Sequence, residues 1–280
     1  MRRTVNNRIS FDGVVGITMR IALGIEYDGS PYCGWQSQAD GITVQDTLQA
    51  ALGEISGEPI GVIAAGRTDT GVHGIEQVVH FDTQANRPLQ AWVRGANALL
   101  PNSISVLWAH NVSDEFHARF SAQGRSYRYL LLNRAVRPAI QAGKVGWYHA
   151  PLNVEFMQQA AQSLLGTHDF SAFRASQCQA KSPIKQLHQL DIHRVGDMLT
   201  FDVGADAFLH HMVRNIVGCL MYVGNSKYPV EWLTDVLNSR DRKLAAPTSS
   251  PDGLYLRKIQ YDAKWALPQK ESEFDVAPYQ

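Results

Sequence analysis

The 280-residue chain has only three cysteines, Cys33, Cys178 and Cys219, and none lies close to another. An odd, widely spaced set fits neither a disulfide framework nor the usual zinc and thiol-redox motifs, and it points to reduced thiols in the cytoplasm. Long apolar runs are missing too: nothing approaches the roughly 18 residues needed to span a bilayer, so no membrane role is expected. Nor is there a charge excess. Lys+Arg and Asp+Glu number 26 each, for a formal net charge of +0, which excludes the uniformly basic surface that usually first hints at nucleic acid. Acidic residues are absent locally, however. Phe116 to Val154 contains no Asp or Glu but holds Arg119, Arg125, Arg128, Arg134, Arg137 and Lys144. Such a block can make one face of a neutral protein basic, and a solvated face balanced elsewhere explains it equally well.

Regular patterning starts just after Met19. In "RIALGIEYDGS", Ile21, Leu23, Ile25 and Tyr27 alternate with more polar or smaller residues, the period of a strand, and Asp28-Gly29 marks a turn. "TVQDTLQAALGEISG" reads as a helix capped by Thr43, with Asp46 completing a capping box. "IGVIAAG" and "IEQVVHFD" read as strands, "LQAWVRGANALL" as helix and "SISVLWAHNV" as strand. In the second half "RSYRYLLLN", "QLDIHRV", "LTFDVGA" and "GLYLRKIQY" read as strands; "NVEFMQQAAQSLLG", "AFLHHMVRNIVGCLMYVG" and "VEWLTDVLN" read as helices. This mixed order without strict βα alternation predicts α+β, with a mixed, mostly antiparallel sheet flanked by helices. The expected organisation is a disordered extension over 1–18 (an organellar presequence being the competing reading), subdomains over 19–115 and 116–264, and a polar tail over 265–280.

Between two of the expected strands lies "AAGRTDTGVHG", Ala64 to Gly74, with three glycines around Arg67, Asp69 and His73. Glycines let a backbone approach a ligand closely. A carboxylate beside a cation stays ionised and can serve as nucleophile or base. A tight turn in which Asp69 caps its own backbone is the equally weighted structural alternative. "DTG" also matches the aspartic-protease triplet, but that chemistry needs two carboxylates and the chain holds a single copy. Within the acid-free block, "GRSYRYLLLN" sets Tyr127, Tyr129 and Leu131 on one strand face and Ser126, Arg128 and Leu130 on the other. Aromatics beside arginines suit RNA, although half-buried tyrosines are ordinary in sheets and Tyr129 reads that way. In "HHMVRNIVG", Phe208, Met212, Ile216 and Cys219 form an apolar helical stripe from which Arg214 departs, so Arg214 needs a partner, and a carboxylate such as Asp69 would be one. Adjacent His210 and His211 should diverge on a helix, and no other histidine pair forms a ligand motif, so no metal is expected.

These stretches, with "ALGIEYDGSPYCGWQ" and "FHARFSA", closely resemble the TruA family of tRNA pseudouridine synthases from about Arg20 to Tyr261. The family motif A-G-R-T-D-A-G-V-H is matched except at Thr70, where alanine is usual. The resemblance implies an isomerase converting uridine to pseudouridine at positions 38, 39 and 40 of the tRNA anticodon stem-loop, without a cofactor. It implies two α+β subdomains whose sheets form a continuous floor, with the active cleft between them. By the same resemblance Asp69 is the catalytic aspartate, Arg214 its ion-pair partner, Arg67 the residue that displaces or replaces the flipped base, Tyr127 the ring stacking on the target, and Leu254 a pocket wall. A homodimer is implied as well. Arg125 and Arg128 are expected to hold phosphates. An RNA-binding protein without the chemistry and a nucleoside glycosidase are the competing functions.

Overall fold

The computed structural model describes residues 18–268. Apart from Thr18 and 265–268, the expected extension and tail lie outside the described residues. Ten strands run β1 Met19–Tyr27, β2 Ile63–Ala64, β3 His73–Thr83, β4 Ile104–Val112, β5 Ala122–Asn133, β6 Gly146–Tyr148, β7 Gly166–Asp169, β8 Ile184–Val195, β9 Met198–Ala205 and β10 Leu254–Tyr261. Five α-helices accompany them: α1 Val44–Ser56, α2 Leu89–Leu99, α3 Val154–Ala161, α4 Met212–Gly224 and α5 Trp232–Ser239. The mixed, mostly antiparallel α+β architecture is thus as expected.

Local chemistry accounts for α1. The Thr43 hydroxyl accepts the Asp46 amide at 3.1 Å, and Gly57 closes the helix with φ 76°, a conformation favouring glycine. Val44, Leu48 and Leu52 then face the core. Two elements depart from the periodicity. The run "IGVIAAG" pairs with β3 at Ile63 and Ala64, with one further backbone bond from the Ala65 amide to the Val78 carbonyl, before the chain turns away into the glycine loop. Helix α4 begins at Met212 rather than near Ala207, because His211 has φ 63° and cannot continue a right-handed helix.

All ten strands join one sheet in the order β4-β1-β3-β10-β5-β9-β8-β7, with β2 added to β3 and β6 to β5. The last strand of the chain therefore sits in the middle. There β10 runs parallel to β3, Tyr255 opposite His73, and antiparallel to β5, Leu256 opposite Tyr127. On the amino-terminal side Ile21, Leu23 and Ile25 pack with Leu48, Leu52 and Trp92. On the carboxy-terminal side Tyr129, Leu131 and Phe201 pack with Met157, Ile216, Leu220 and Leu233. The loop between β2 and β3 meets the approach to α4 where these two cores adjoin. No helix among the described residues is long and apolar enough to cross a membrane.

Buried His80 in β3 makes the fold sensitive to acid. Its Nδ1 accepts the Ala118 amide at 3.1 Å, so the imidazole is neutral. Burial first, then the charges of Arg20 and His117, push its pKa down from 6.5 to about 4. Below pH 6.5 the unfolded chain binds the proton more readily than the folded one, so this stability is present above 6.5 and lost as pH falls towards 4. The full loss is on the order of 3 kcal/mol. Urea midpoints should accordingly drop between about pH 7 and about pH 5, and His80→Gln should flatten that drop by removing the titrating group. Equal drops in both proteins would place the sensitivity elsewhere.

Candidate active site

The Ala64–Gly74 loop is fixed from several sides. Gln77 grips Gly66 twice: its Oε1 accepts the Gly66 amide at 3.3 Å, and its Nε2 donates to the Gly66 carbonyl at 2.6 Å. The Trp35 amide donates to the Thr68 carbonyl at 3.0 Å, and the Thr68 and Tyr27 hydroxyls lie 2.8 Å apart. The Val72 amide then donates to the Asp69 carbonyl at 3.1 Å, closing a turn whose third residue, Gly71, has φ 80°. His73, the motif histidine, is a structural anchor. Its Nδ1 accepts the Gly29 amide, its Nε2 donates to the Asp252 carbonyl, and its ring stacks on Tyr255 at 4.5 Å. Burial lowers its pKa, which keeps the ring neutral.

Asp69 stands on this frame with its side chain 18% exposed and faces three nitrogenous groups. Arg214 Nη1 donates to its Oδ2 at 2.8 Å. Arg214 is itself held, its Nε donating to the Ser249 carbonyl at 2.9 Å while the Ser249 hydroxyl donates back to the Arg214 carbonyl at 3.0 Å. His210 Nε2 lies 3.0 Å from Oδ1, and His211 Nε2 lies 3.3 Å from Oδ2. This corrects the expectation that the two histidines diverge. They precede α4, and the left-handed backbone at His211 turns both rings to one carboxylate. No sequence period marks such a residue. Burial lowers the His211 pKa, against the pull of Asp69, so this imidazole is neutral near pH 7. Asp69, His210 and His211 place their ligand atoms within 4.8 Å of one another, close enough for a metal ion. The Arg214 guanidinium already on that carboxylate opposes a divalent cation by charge.

The carboxylate opens into a cleft of about 990 Å³. Tyr127, Leu254 and Arg67 line it, together with Phe208, whose ring meets Tyr127 edge-on at 5.1 Å. The Tyr127 hydroxyl is held above the usual phenol range, first by burial and then by the Asp69 charge, so the ring is neutral. Exposed Arg67 does not pair with Asp69; its guanidinium reaches Gln179 across the cleft at 3.4 Å. Tyr129 is a core residue, with its hydroxyl donating to the Ser250 carbonyl.

The two remaining arginines are committed to the protein. Arg128 faces away from Tyr127, as strand alternation requires, and makes a two-point contact with Asp202 at 2.8 and 2.9 Å. It does not line the cleft. Arg125 shares the Tyr127 face, but its guanidinium donates to the carbonyls of Ala65, Arg119 and Asp206 at 2.9–3.2 Å and more weakly to that of Ala122. It ties the aspartate loop to β5, and neither arginine offers the free phosphate contact expected of it.

A family model described as tRNA pseudouridine synthase matches residues 24–121 and 160–262, spans that include Asp69, Arg214 and Leu254 but not Tyr127. The chain is similar to "tRNA pseudouridine synthase A" of Dechloromonas aromatica, 57% identical over 256 residues covering 91% of this chain and 98% of the relative. The protein of that name from Nitrosomonas eutropha is 59% identical over 250 residues, covering 89% and 90%. That from Methylobacillus flagellatus is 54% identical over 258 residues, covering 92% and 99%.

Support for the aspartate loop leaves no room at Gly34. Its φ is 89°, and a Cβ there would come within 2.9 Å of the Thr68 carbonyl oxygen. Gly34→Ala should therefore cost about 1–3 kcal/mol in urea unfolding and loosen the Asp69 loop towards added protease. An unchanged urea midpoint would mean that the loop does not depend on this contact.

Proposed function

The chain belongs to the tRNA pseudouridine synthase family, and from that membership we propose that its cleft isomerises uridine to pseudouridine at positions 38, 39 and 40 of the tRNA anticodon stem-loop. The observation that carries this reading is a partly buried carboxylate, Asp69, paired with Arg214 at 2.8 Å and open to a cleft that Tyr127 lines. A uridine in a stem must leave the stack before its glycosidic bond can be reached, at a cost of a few kcal/mol. Tyr127 supplies a neutral ring for the extruded base, Leu254 an apolar wall, and exposed Arg67 a planar cation at the mouth to take the vacated place in the helix.

In the reaction the bond between C1′ and N1 breaks and one between C1′ and C5 forms. A proton leaves C5 and one is gained at N1. Atoms and electrons balance within the nucleotide, so no cofactor is required. Asp69 opens the reaction by adding either to C6 of the base or to C1′ of the ribose, and Arg214 holds the carboxylate in place for either attack. The cleft retains detached uracil while it turns. The enzyme acts in the cytoplasm as a homodimer in which one tRNA touches both subunits.

Incubating the protein with unmodified tRNA and mapping pseudouridine tests this directly. Wild type should modify uridines at 38 to 40, whereas Asp69→Asn should bind tRNA and modify none. Tight binding by wild type without modification would favour a non-catalytic RNA-binding protein. Free uracil without pseudouridine would favour a glycosidase.

Arg214→Lys offers a separate measurement. One ammonium cannot reach both Asp69 and the Ser249 carbonyl as the guanidinium does, so charge is kept while position is lost. The single-turnover rate at saturating tRNA should fall about a hundredfold with tRNA affinity retained. A rate near that of wild type would reduce Arg214 to a source of charge alone.

A further inference from the structure

Phe120, next in sequence to the cleft-lining Arg119, is 76% accessible although it is wholly apolar. Its orientation is set by a small hydrogen-bonded turn. His117 Nδ1 accepts the amides of both Arg119 and Phe120 at 3.2 Å, and the Ser121 amide donates to the His117 carbonyl at 2.8 Å. The His117 ring lies under the phenyl at 4.2 Å between centroids and 29° between planes, and His80 backs His117 at 4.9 Å. One face of Phe120 is thus supported by the His117 ring.

The same turn is coupled to the aspartate loop. Arg125 donates to the Arg119 carbonyl at 2.9 Å and to the Ala65 carbonyl at 3.2 Å, joining the platform to the strand that leads into the Asp69 loop. Arg119 lines the cleft, and its guanidinium carbon lies 5.7 Å from the Phe120 centroid. A held, exposed ring with a guanidinium over it has the chemistry of a single-stranded nucleic-acid contact: the ring stacks on a base once the guanidinium turns aside to meet its phosphate. A second protein surface would gain little from a lone exposed ring capped by an arginine, in a stretch without carboxylates of its own.

We infer that Phe120 and Arg119 form a second nucleotide subsite at the cleft rim, in which an unpaired base next to the target uridine stacks on Phe120 while its phosphate meets Arg119. This rests on the RNA-modifying reading above and adds to it a base contact outside the reacting pocket. Phe120 contacts neither Asp69 nor Arg214, so it contributes to binding and not to the chemical step.

The test compares Phe120→Ala, Phe120→Leu and Arg119→Ala with wild type, using unmodified tRNA. Expected for both Phe120 variants is about tenfold weaker tRNA binding, a salt slope like that of wild type and an unchanged single-turnover rate at saturation. Leucine preserves apolar packing but cannot stack, so its failure to rescue separates stacking from simple burial. Arg119→Ala should instead lower the magnitude of the salt slope by about one. Binding by either Phe120 variant within about twofold of wild type would overturn the subsite. So would a changed oligomeric state, which would make the ring a contact between copies of this chain. Absence of pseudouridine formation by wild type would instead count against the underlying reading, so the two failures are distinguishable.

Discussion

The site depends on one ion pair that crosses the molecule. Asp69 rises from a loop of the amino-terminal half, Arg214 from the first turn of a helix in the carboxy-terminal half, and their 2.8 Å contact closes the gap between two separately packed cores. A carboxylate in a half-enclosed cleft is stable only with its charge answered, because desolvation otherwise favours the neutral acid. Here the answering charge is itself constrained. The Ser249 carbonyl takes one donor of the guanidinium, leaving another aimed at Oδ2. The left-handed backbone at His211 carries a conformational cost, and it ends the preceding loop so that α4 begins with Arg214 in its first turn.

Much of this was legible in the sequence, and what was not follows a physical pattern. Residues whose role depends on local chemistry read correctly: Thr43 and Asp46 cap α1, and the alternation of β1 and β5 places their side chains. That Arg214 would need a partner followed from its place off an apolar stripe. The convergence of His210 and His211 did not, because apolar periodicity runs straight through "AFLHHMVRN" and nothing in composition marks a left-handed residue. Likewise "IGVIAAG" is apolar enough for a full strand, yet the loop that follows draws it off the sheet after two paired residues. Local pattern encodes faces and caps, whereas the exit of a chain from an element is decided by what it meets afterwards.

The acid-free stretch shows the limits of counting charge. Arg128 is consumed by Asp202 and Arg125 by backbone carbonyls, while Lys144, in the β5–β6 connection, pairs with Asp28. Half of the six cations that stand out in sequence therefore serve cohesion. What remains basic near the cleft is sparse and positioned, Arg67 and Arg119 at its rim. With half of those cations tied up internally, a chain of zero net charge has little broad field left to draw in a polyanion. It must instead supply a few contacts of exact geometry, and arginine's planar, pre-organised fork suits that requirement better than lysine's flexible ammonium.

Sheet register is the deeper reason that these contacts meet. The last strand is inserted between β3 and β5, so the spacing of the aspartate loop from Tyr127 is set by two ladders in series. Tyr255 pairs with His73 on one side, and Leu256 pairs with Tyr127 on the other. A slip of one residue in β5 would exchange the faces of Tyr127 and Arg128, placing a guanidinium in the cleft and a phenol ring against Asp202. The Arg128–Asp202 pair and the seating of Tyr129 in the core both oppose that slip. An arginine expected to contact substrate thus acts from the opposite face of the sheet, by fixing the register that presents the neighbouring tyrosine to the cleft.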